Sequence, residues 1–559
     1  MSADADGSPD SWPDALRFAA EPVPGRPARL VQALRRPAAA LPILRARLSG
    51  RRLRAAQGLT ALVGAHHDLR LPPAFAPRTE PTSALAAAGI ERIEADAEGG
   101  VRIASDGPPL ILLTALGEEC VAGAAAAIAA AFTDPSLHAL YGDALFRSPD
   151  GAWLPILRPA FDADYLRAVD YAGPTVAFRR SSALTVTDDP IPGVAALDLL
   201  LGIADRFGVE PVRHLPRLLS LSRAEGAGEG GRARGRRARL DAVGRSLTRA
   251  GEGAVRAEMR GDGVIEVLRP LPDPRPRVSL IVPTRDRLDL LRPCIESLRG
   301  RTAWPDKEIL ICDNGSRDAE TLAYFRALED EGAARVVACP GPFDFAAINN
   351  RVAAEADGRL LAFVNNDVEA DAPDWLERMV REALRPGIGA VGARLIDGEG
   401  RIQHGGLVLG TGGLVTHGHR FFPGAAAGYL ASLHATRSVS AVTAACLVIE
   451  AEKFRSVGGF DASAFRIDFN DVDLCLRLNA AGLRTLYVGG AVLHHRESAS
   501  RRPSAEAAAR HRAEVEALRE RWGPLLVQDP HYHPGFDPGL STHMRLRRGW
   551  TGLEPAEPR

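Results

Sequence analysis

The sequence is poor in cysteine, carries almost no net charge and has no long hydrophobic run. Six cysteines are scattered over 559 residues without CxxC spacing, which favours a reducing compartment. Lysine and arginine number 69 against 70 acidic residues, and this balance argues against a role in nucleic-acid binding. The longest apolar stretch, Val121 to Phe132, is shorter than the roughly 20 residues that a bilayer requires.

A secretory signal is also missing from the N-terminus, which is acidic and then rich in proline. We therefore expect a soluble cytoplasmic protein. The length exceeds what one hydrophobic core usually holds, and 46% of the residues are apolar, so two or more domains are expected.

Two weakly patterned segments divide the chain. Residues 1–60 are rich in proline, alanine and arginine, with an amphipathic piece around Leu30 to Leu53. Its apolar side lacks aromatic residues, which favours a solvated helix over a membrane-surface helix, and peripheral membrane contact stays open. Residues 223–275 contain clustered glycines, arginines and prolines, which predicts a linker around one short helix. An N-terminal part (61–222) and a C-terminal part (276–535) flank this linker, and 536–559 form a tail.

Short apolar runs alternate with helical patterns in the C-terminal part. Strands are expected at 278–282, 308–312, 335–338, 360–364 and 388–393, and helices around 290–298, 345–356 and 375–384. This alternation predicts an α/β fold with a doubly wound, mostly parallel sheet that is covered on both faces.

Polar residues follow three of these strands, at the sheet edge where ligands bind in open α/β folds. They are Thr284 to Asp286, Asp313 with Asn314, and Asn365 to Asp367. Together they supply groups for a ribose and a base, and Asp367 offers an oxygen ligand to a hard divalent cation. Because the chain has no GxxxxGK[ST] loop, whose backbone N–H groups would bind phosphates, we expect a metal ion to bind them instead.

A second group of candidates lies downstream. Asp471 and Asp473 are two positions apart and cannot share a helix face, so one is expected to cap the helix while the other points into a cleft as a base. His494 and His495 end the next strand, where a metal ligand is expected. His404 and the His417-Gly418-His419 run lie in a glycine-rich segment that suits either a mobile acceptor loop or a plain hairpin.

An internal correspondence links the two parts. At an offset of 275 residues, the segment around Asp198 aligns with the segment around Asp473, and both are typical of a helix followed by a strand. The alignment is short, so a repeat and two unrelated amphipathic helices both remain open.

Several ordered motifs of the C-terminal part resemble family 2 glycosyltransferases, in the rhamnosyltransferase-like or O-antigen biosynthesis subgroup. They are VSLIVPTRDR, EILICDNGSRD, FDFAAINNRVAAEADGRLLAFVNNDVEA, IQHGGLVLG, GGFD, FNDVDLCLRLNAAG, HHRESASR and WGPLLVQDPHYHPGF. The resemblance implies a GT-A fold and an inverting transfer of a sugar from a nucleoside diphosphate sugar, dependent on Mg or Mn.

The resemblance also implies roles for individual residues. Asp471 would deprotonate the acceptor hydroxyl, and Asp367 and His495 would hold the metal. The nucleotide-sugar site would contain Thr284, Asp286, Asp313, Asn314, Asn349, Asn350 and Asn366. His404 and Asp473 would lie on the acceptor side. Val352 and Gly405 depart from the family pattern without removing a chemical group.

The N-terminal part resembles the tandem partner domain of the same family, through LYGDALF, PILRPAFDADYLRAVDYAG and VAFRRSSAL. Leu113 to Glu118 occupy the positions of the family's metal motif, and Ala195-Ala196 occupy the position of its catalytic base. We therefore expect a smaller, degenerate GT-A-like domain that is inactive.

The leading hypothesis is a glycosyltransferase that acts on a glycan or lipid-linked acceptor in bacterial surface polysaccharide synthesis, with rhamnose suggested by the resemblance alone. The alternative is a noncatalytic scaffold or glycan-binding subunit. A processive synthase is disfavoured because Arg521-Trp522 lacks the glutamine of a QxxRW motif.

Overall fold

The computed structural model describes residue 31 and residues 33–63, 69–72, 75–147, 151–222, 229–496 and 504–553. Two helices, α1 (Pro37–Leu48) and α2 (Arg52–Val63), form a hairpin at the start of the described chain. Among the described residues, no helix has both the length and the apolar character needed to cross a membrane.

The N-terminal part contains a seven-stranded mixed sheet in the order β1-β2-β6-β4-β7-β3, with β5 paired to β4. Its strands are β1 (Ile90–Glu94), β2 (Leu110–Thr114), β3 (Glu119–Cys120), β4 (Ala139–Arg147), β5 (Trp153–Ile156), β6 (Val176–Arg179) and β7 (Val212–Ser222). The helices are α3 (Thr82–Ala87), α4 (Ala124–Ala131), α5 (Ala163–Ala168), α6 (Arg180–Val186) and α7 (Ala195–Phe207).

The expected linker is a packed element. Helix α8 (Glu229–Arg249) is 21 residues long, not short, and a hairpin of β8 (Arg256–Met259) and β9 (Ile265–Leu268) follows it. Ala242, Val243 and Leu247 of α8 are buried in the core of the N-terminal part. Apolar side chains at helical spacing thus outweigh the glycine and arginine content that predicted a linker. Residues 223–228 lie outside the described residues.

The C-terminal part contains a ten-stranded mixed sheet in the order β12-β11-β10-β13-β20-β15-β21-β14, with β16 on β15 and β19 on β21. Its strands are β10 (Val278–Thr284), β11 (Lys307–Asp313), β12 (Arg335–Ala338), β13 (Leu360–Val364), β14 (Val368–Ala370), β15 (Ile388–Ile396), β16 (Ile402–His404), β17 (Leu407–Leu409), β18 (Val415–His417), β19 (Thr436–Ser438), β20 (Cys446–Glu450) and β21 (Arg484–His495). Strands β17 and β18 form a separate two-stranded arm.

Helices cover both faces of this sheet, as the sequence predicts, but the expectation of a mostly parallel sheet is wrong, because five of the nine strand pairings described are antiparallel. The helices are α9 (Leu288–Gly300), α10 (Ala319–Asp330), α11 (Phe345–Ala354), α12 (Trp375–Ala383), α13 (Ala451–Ser456), α14 (Asn470–Ala480) and α15 (Ala505–Trp522). Strand β10 shows why: Val278 and Leu280 enter one core with α9 and α12, whereas Ile281 enters the other with α11 and α14. The parallel strands β12, β11, β10 and β13 therefore end at one edge.

The two sheets share one connection pattern. Strands β1, β2, β6, β4, β7 and β3 pair in the same order and relative directions as β10, β13, β20, β15, β21 and β14. The larger sheet adds β11 and β12 beside β10. Helices α7 and α14, which carry Asp198 and Asp473, hold the same place in the chain order before β7 and β21.

The two parts share a buried interface. The Asp164 carboxylate of α5 accepts hydrogen bonds from Arg385 at 2.9 Å and Arg484 at 2.7 Å. Tyr429 of the C-terminal part accepts a hydrogen bond from the backbone of Leu157 at 2.7 Å. The tail also packs against the N-terminal part, since the carbonyl of Gly552 accepts from the backbone of Leu218. All six cysteines are buried and free.

Candidate active site

A cleft of about 1310 Å³ opens where β10, β11 and β13 end. Its walls come from the loops that follow these strands, from the arm β17–β18, and from the N-terminal ends of α14 and α15. The predicted site residues that line it are Thr284, Asn314, Asn366, Asp367, Asp471 and His495. The structure therefore brings half of the twelve candidates to one cavity.

Asp367 and His495 face each other at the wall of this cleft. Strand β14 pairs with the end of β21 so that Val368 lies opposite His495. This register places Oδ1 of Asp367 3.1 Å from Nε2 of His495, and both residues are less than a tenth exposed. Nδ1 of His495 is buried and has no hydrogen-bond partner among the described residues.

The Asp367–His495 pair fits a hard divalent cation. Neighbouring ligands of an octahedral ion with bonds of about 2.1 Å lie about 3 Å apart, close to the separation of the two atoms here. One carboxylate oxygen and one imidazole nitrogen are ligands that Mg²⁺ and Mn²⁺ accept.

Thr284 and Asn366 connect the ends of two neighbouring strands beside this pair. The Asn366 amide donates to the Thr284 hydroxyl at 2.9 Å, and the hydroxyl donates to the carbonyl of Asp286. Asn314 also lines the cleft, and its amide donates to the carbonyl of Cys339. Oδ1 of Asn314 is buried without a hydrogen-bond partner among the described residues.

Asp286 and Asp313 hold loops together and are not among the residues that line the cleft. Oδ1 of Asp286 accepts from the backbone amides of Asp318 and Arg317 at 2.9 and 2.7 Å, and these bonds hold the pKa of Asp286 below its ordinary value. Oδ1 of Asp313 accepts from the backbone of Ser316 at 2.8 Å. Both carboxylates therefore fasten the loop after β11.

Asn349 and Asn350 of α11 also lie apart from the cleft lining. Asn350 forms two hydrogen bonds with the backbone of Phe460, at 2.7 and 2.9 Å. Asn349 is fully buried and donates to the carbonyl of Phe345. Asn350 thus clamps α11 to the turn that precedes α14.

Asp471 presents its carboxylate at the start of α14. Oδ2 accepts from the backbone of Ala444 at 3.1 Å, and the Thr443 hydroxyl also contacts this group. Burial nevertheless raises the pKa of Asp471 above its ordinary value. A carboxylate whose basicity is increased by desolvation is suited to accept a proton.

Asp473 is not on the cleft, which corrects the expectation that it lies on the acceptor side. It is fully buried, and its carboxylate accepts from Arg477 of α14 and from Arg521 and Trp522 of α15 at 2.7, 2.8 and 3.0 Å. The residue before α14 is Phe469, and neither aspartate is the N-cap residue. Asp471 faces the cleft, and Asp473 joins two helices.

His404, which is fully buried, pairs with the half-buried His417 of the cleft lining, with their Nδ1 atoms 2.9 Å apart. The backbone N–H of Thr443 donates to Nε2 of His404 at 3.4 Å, so the proton of His404 sits on Nδ1 and is donated to His417. His417 then carries its own proton on Nε2. Burial lowers the pKa of His404 to about 3 and that of His417 well below its ordinary value. His419 lies elsewhere, accepting from the backbone of Tyr429.

The cleft also contains charged residues that the sequence analysis missed. Besides Arg285, Asp367 and Asp471, its lining includes three arginines (287, 466 and 510) and two acidic residues (468 and 506). Arg510 and His511 reach the cleft because α15 packs on α14 through the contacts of Asp473. No local motif marks these residues; the Ser504 side chain, which accepts from the backbone of Ala507, signals only the helix start.

A second cluster, Asp143, His214 and His533, has the composition of a metal site. Nε2 of His214 and Nε2 of His533 lie 3.0 and 2.8 Å from the two oxygens of Asp143. The backbone N–H of Gly535 donates to Nδ1 of His533, which places the proton of that histidine on Nε2, facing the carboxylate. Both histidines contact the carboxylate of Asp143, so the cluster connects the segment after α15 to β4 and β7.

Comparisons with known proteins place residues 279–409 in the family described as Glycosyl transferase family 2. An uncharacterized protein of Sinorhizobium fredii is 38% identical over 68% of this chain and 43% of its own length. The O-antigen biosynthesis protein RfbC of Myxococcus xanthus is 35% identical over 75% of this chain and 33% of its own length. The chain thus spans less than half the length of these curated relatives.

A solved structure of GalNAc-T7 with UDP, GalNAc and Mn²⁺ is similar at a TM-score of 0.36 and 15% identity, covering 47% of this chain and 50% of that chain. The family match covers the strands β10, β11 and β13, whose ends form the cleft. Residues 279–409 are thus similar to glycosyl transferase family 2, and their strands belong to a mixed sheet that agrees with the α/β fold class predicted from the sequence.

Proposed function

We propose that this chain transfers a sugar from a nucleoside diphosphate sugar to a hydroxyl group of a glycan or lipid-linked acceptor, with inversion at the sugar carbon. The observation that carries the proposal is that the Asp367–His495 pair and the Asp471 carboxylate line one cleft. A leaving diphosphate and an attacking hydroxyl need these two kinds of group.

The donor is proposed to bind at the ends of β10, β11 and β13. Asp367 and His495 would hold Mg²⁺ or Mn²⁺, which supplies neutralising charge to the diphosphate when bound. Arg285 and Arg287 line the same region and add positive charge beside the phosphates. Asn314, whose buried Oδ1 has no hydrogen-bond partner among the described residues, also lines the region where the base or ribose would lie. Thr284 and Asn366 support the loop ends through their shared hydrogen bond.

Asp471 is proposed as the general base. Its carboxylate takes the proton of the acceptor hydroxyl while that oxygen forms the new glycosidic bond and the bond from the sugar to the diphosphate breaks. The raised pKa of Asp471 supports this role, because a more basic carboxylate takes a proton more readily.

The His404–His417 pair supports an acceptor side opposite the donor. The hydrogen bonds that start at Thr443 leave the Nε2 proton of His417 available to an acceptor oxygen. His404 would act as a positioning residue, since it orients His417 and is itself fully buried.

The N-terminal part is proposed to be a degenerate, inactive copy of the catalytic part, with boundaries near 61–222 and 276–535. Its sheet has the shared connection pattern, and among its described residues there are no counterparts of β11 and β12. By the register of β3 with β7, Leu221 stands where His495 stands in the other sheet. Ala196 occupies the place of Asp471 at the start of α7.

A relative supports a role in bacterial surface polysaccharide synthesis. RfbC of Myxococcus xanthus is named as an O-antigen biosynthesis protein. Rhamnose as the transferred sugar is proposed from the family resemblance, and a relative named as an L-rhamnosyltransferase, 39% identical over 15% of this chain, supports it.

Release of nucleoside diphosphate from a panel of nucleoside diphosphate sugars tests the proposal, with the full chain, Mn²⁺ and a saccharide acceptor mixture. We expect release with one donor and none with Asp367→Ala. Release that is equal in the wild type and in Asp367→Ala would contradict the proposal.

A further inference from the structure

The hairpin α1–α2 exposes aliphatic side chains to solvent. Five of the eleven exposed large hydrophobic residues in the described chain belong to this hairpin or precede it directly. They are Val31, Leu34, Leu41, Leu44 and Leu48, with exposed fractions from 46% to 80%. Clusters of exposed aliphatic residues on one element mark an interaction site more often than scattered ones do.

Helix geometry places three of these leucines on one face. At about 100° per residue, Leu41, Leu44 and Leu48 fall within about 60° of one another. We call these three residues the leucine face. Ile43 and Ala46 lie on the opposite side, where Ala46 is buried and Ile43 closely approaches Gly58 of α2. Helix α1 thus has one apolar face packed on α2 and a second apolar face turned outward.

The charge of the hairpin has a single sign. Residues 31–67 contain seven arginines and no aspartate or glutamate, although the whole chain has a net charge of −1. The exposed side chains among them are Arg35, Arg36, Arg45, Arg47, Arg51 and Arg54. Arg45 and Arg47 flank the leucine face on its two sides, by the same helical geometry.

The hairpin is attached beside the cleft. Leu53 of α2 lies against Gly412, which is in the turn between β17 and β18. Thr60 contacts Met544 of the tail at 3.9 Å. The arm β17–β18 contributes Leu407, Val415 and His417 to the cleft lining. Helix α2 therefore attaches α1 to the arm β17–β18, which forms the proposed acceptor side of the cleft.

We propose that the hairpin α1–α2 docks the protein on an anionic membrane surface. The leucine face enters the boundary between headgroups and acyl chains, and the flanking arginines contact lipid phosphates. A lipid surface matches better than a protein partner, because residues 31–67 carry seven arginines and no acidic residue, and lipid phosphates complement this positive charge. This docking goes beyond the proposed sugar transfer and does not depend on it.

Co-sedimentation of the full chain with lipid vesicles tests the docking. Vesicles that contain phosphatidylglycerol are compared with phosphatidylcholine vesicles, at low and high salt. We expect binding only to the anionic vesicles and weakening by salt. The triple variant Leu41→Gln/Leu44→Gln/Leu48→Gln should bind at least about tenfold more weakly, and Arg45→Gln/Arg47→Gln should also bind about tenfold more weakly.

Leu116→Gln is the matched control, because Leu116 is 65% exposed and lies on the N-terminal part. It should bind like the wild type. Three results would each overturn the docking: equal binding to both kinds of vesicle, wild-type binding by the triple variant, or a leucine-dependent dimer in sedimentation velocity without lipid. The vesicle measurement uses no sugar donor, so it tests membrane docking independently of whether the protein transfers a sugar.

Discussion

Asp198 and Asp473 occupy matching places in the two parts of the chain and make matching contacts. Each is fully buried on the helix that precedes the last long strand of its sheet. Asp198 accepts from Arg245 and Arg249 of α8, and Asp473 accepts from Arg521 and Trp522 of α15. In both parts a buried carboxylate thus ties this helix to the helix that follows the sheet.

This relationship predicts that either carboxylate is required for stability. Asp198→Ala and Asp473→Ala each remove a buried acceptor from partly exposed arginine side chains, and each should lower the free energy of unfolding by about 1–3 kcal/mol. Denaturant titration checks both variants. Donor affinity of folded Asp473→Ala should stay near the wild-type value, and a selective loss of acceptor affinity would return Asp473 to the acceptor side.

Asp471→Asn should lower kcat by about 10²–10⁴-fold while the donor Kd changes little, because the amide cannot accept the hydroxyl proton. Since burial raises the pKa of Asp471, the wild-type rate should fall on the acidic side at a pH above the ordinary titration range of aspartate. Steady-state kinetics over a pH series check this. An equal loss of donor binding and rate would mean that Asp471 maintains structure.

The N-terminal part should contribute no turnover. By strand register, Glu118 stands in the N-terminal sheet where Asp367 stands in the C-terminal sheet. Glu118→Gln should therefore leave kcat within about twofold, whereas Asp367→Asn should remove turnover. A large loss of rate in Glu118→Gln, with an unchanged melting temperature, would show that the first sheet takes part in the reaction.

His404 should make the fold sensitive to acid. Its pKa of about 3 in the folded state lies below the ordinary 6.5, so the unfolded chain binds more protons between these values. Stability conferred by neutral His404 is therefore complete above pH 6.5 and is lost as the pH falls toward 3. From pH 6.5 to 5 this loss is about 2 kcal/mol.

His404→Gln removes this titrating group. Its free energy of unfolding should fall less between about pH 7 and about pH 5 than that of the wild type, by about the same 2 kcal/mol. Urea titrations at the two pH values measure the difference. Parallel losses in the two proteins would show that His404 is protonated in the fold.

The sequence predicted β10 to β13, β15 and a strand that ends at His495, but not β14, β16, β19 or β20. It brought Asp367, Asp471 and His495 forward as site residues because each lies close to the end or the start of a strongly patterned element. It did not distinguish residues that line the cleft from residues that hold loops in place through hydrogen bonds. Asp286 and Asn350 have the same polar chemistry as Asn314, but their partners are backbone groups brought near only by tertiary packing.

The same reason explains the missed elements. Helix α8 has a composition typical of a linker, and only its packing on α7 shows that it belongs to a core. Arg510 and His511 are distant in sequence from every strand end, and α15 carries them to the cleft.

The central claim is a metal-dependent donor site at Asp367 and His495. Its most direct test is the thermal stabilisation of the full chain by UDP, dTDP and GDP, each with Mn²⁺ or with chelator, beside Asp367→Ala. We predict that one nucleotide raises the melting temperature with Mn²⁺ only, following RT ln(1 + [L]/Kd), and that the variant shows no rise. No stabilisation by any nucleotide, or an equal rise in chelator, would contradict the claim.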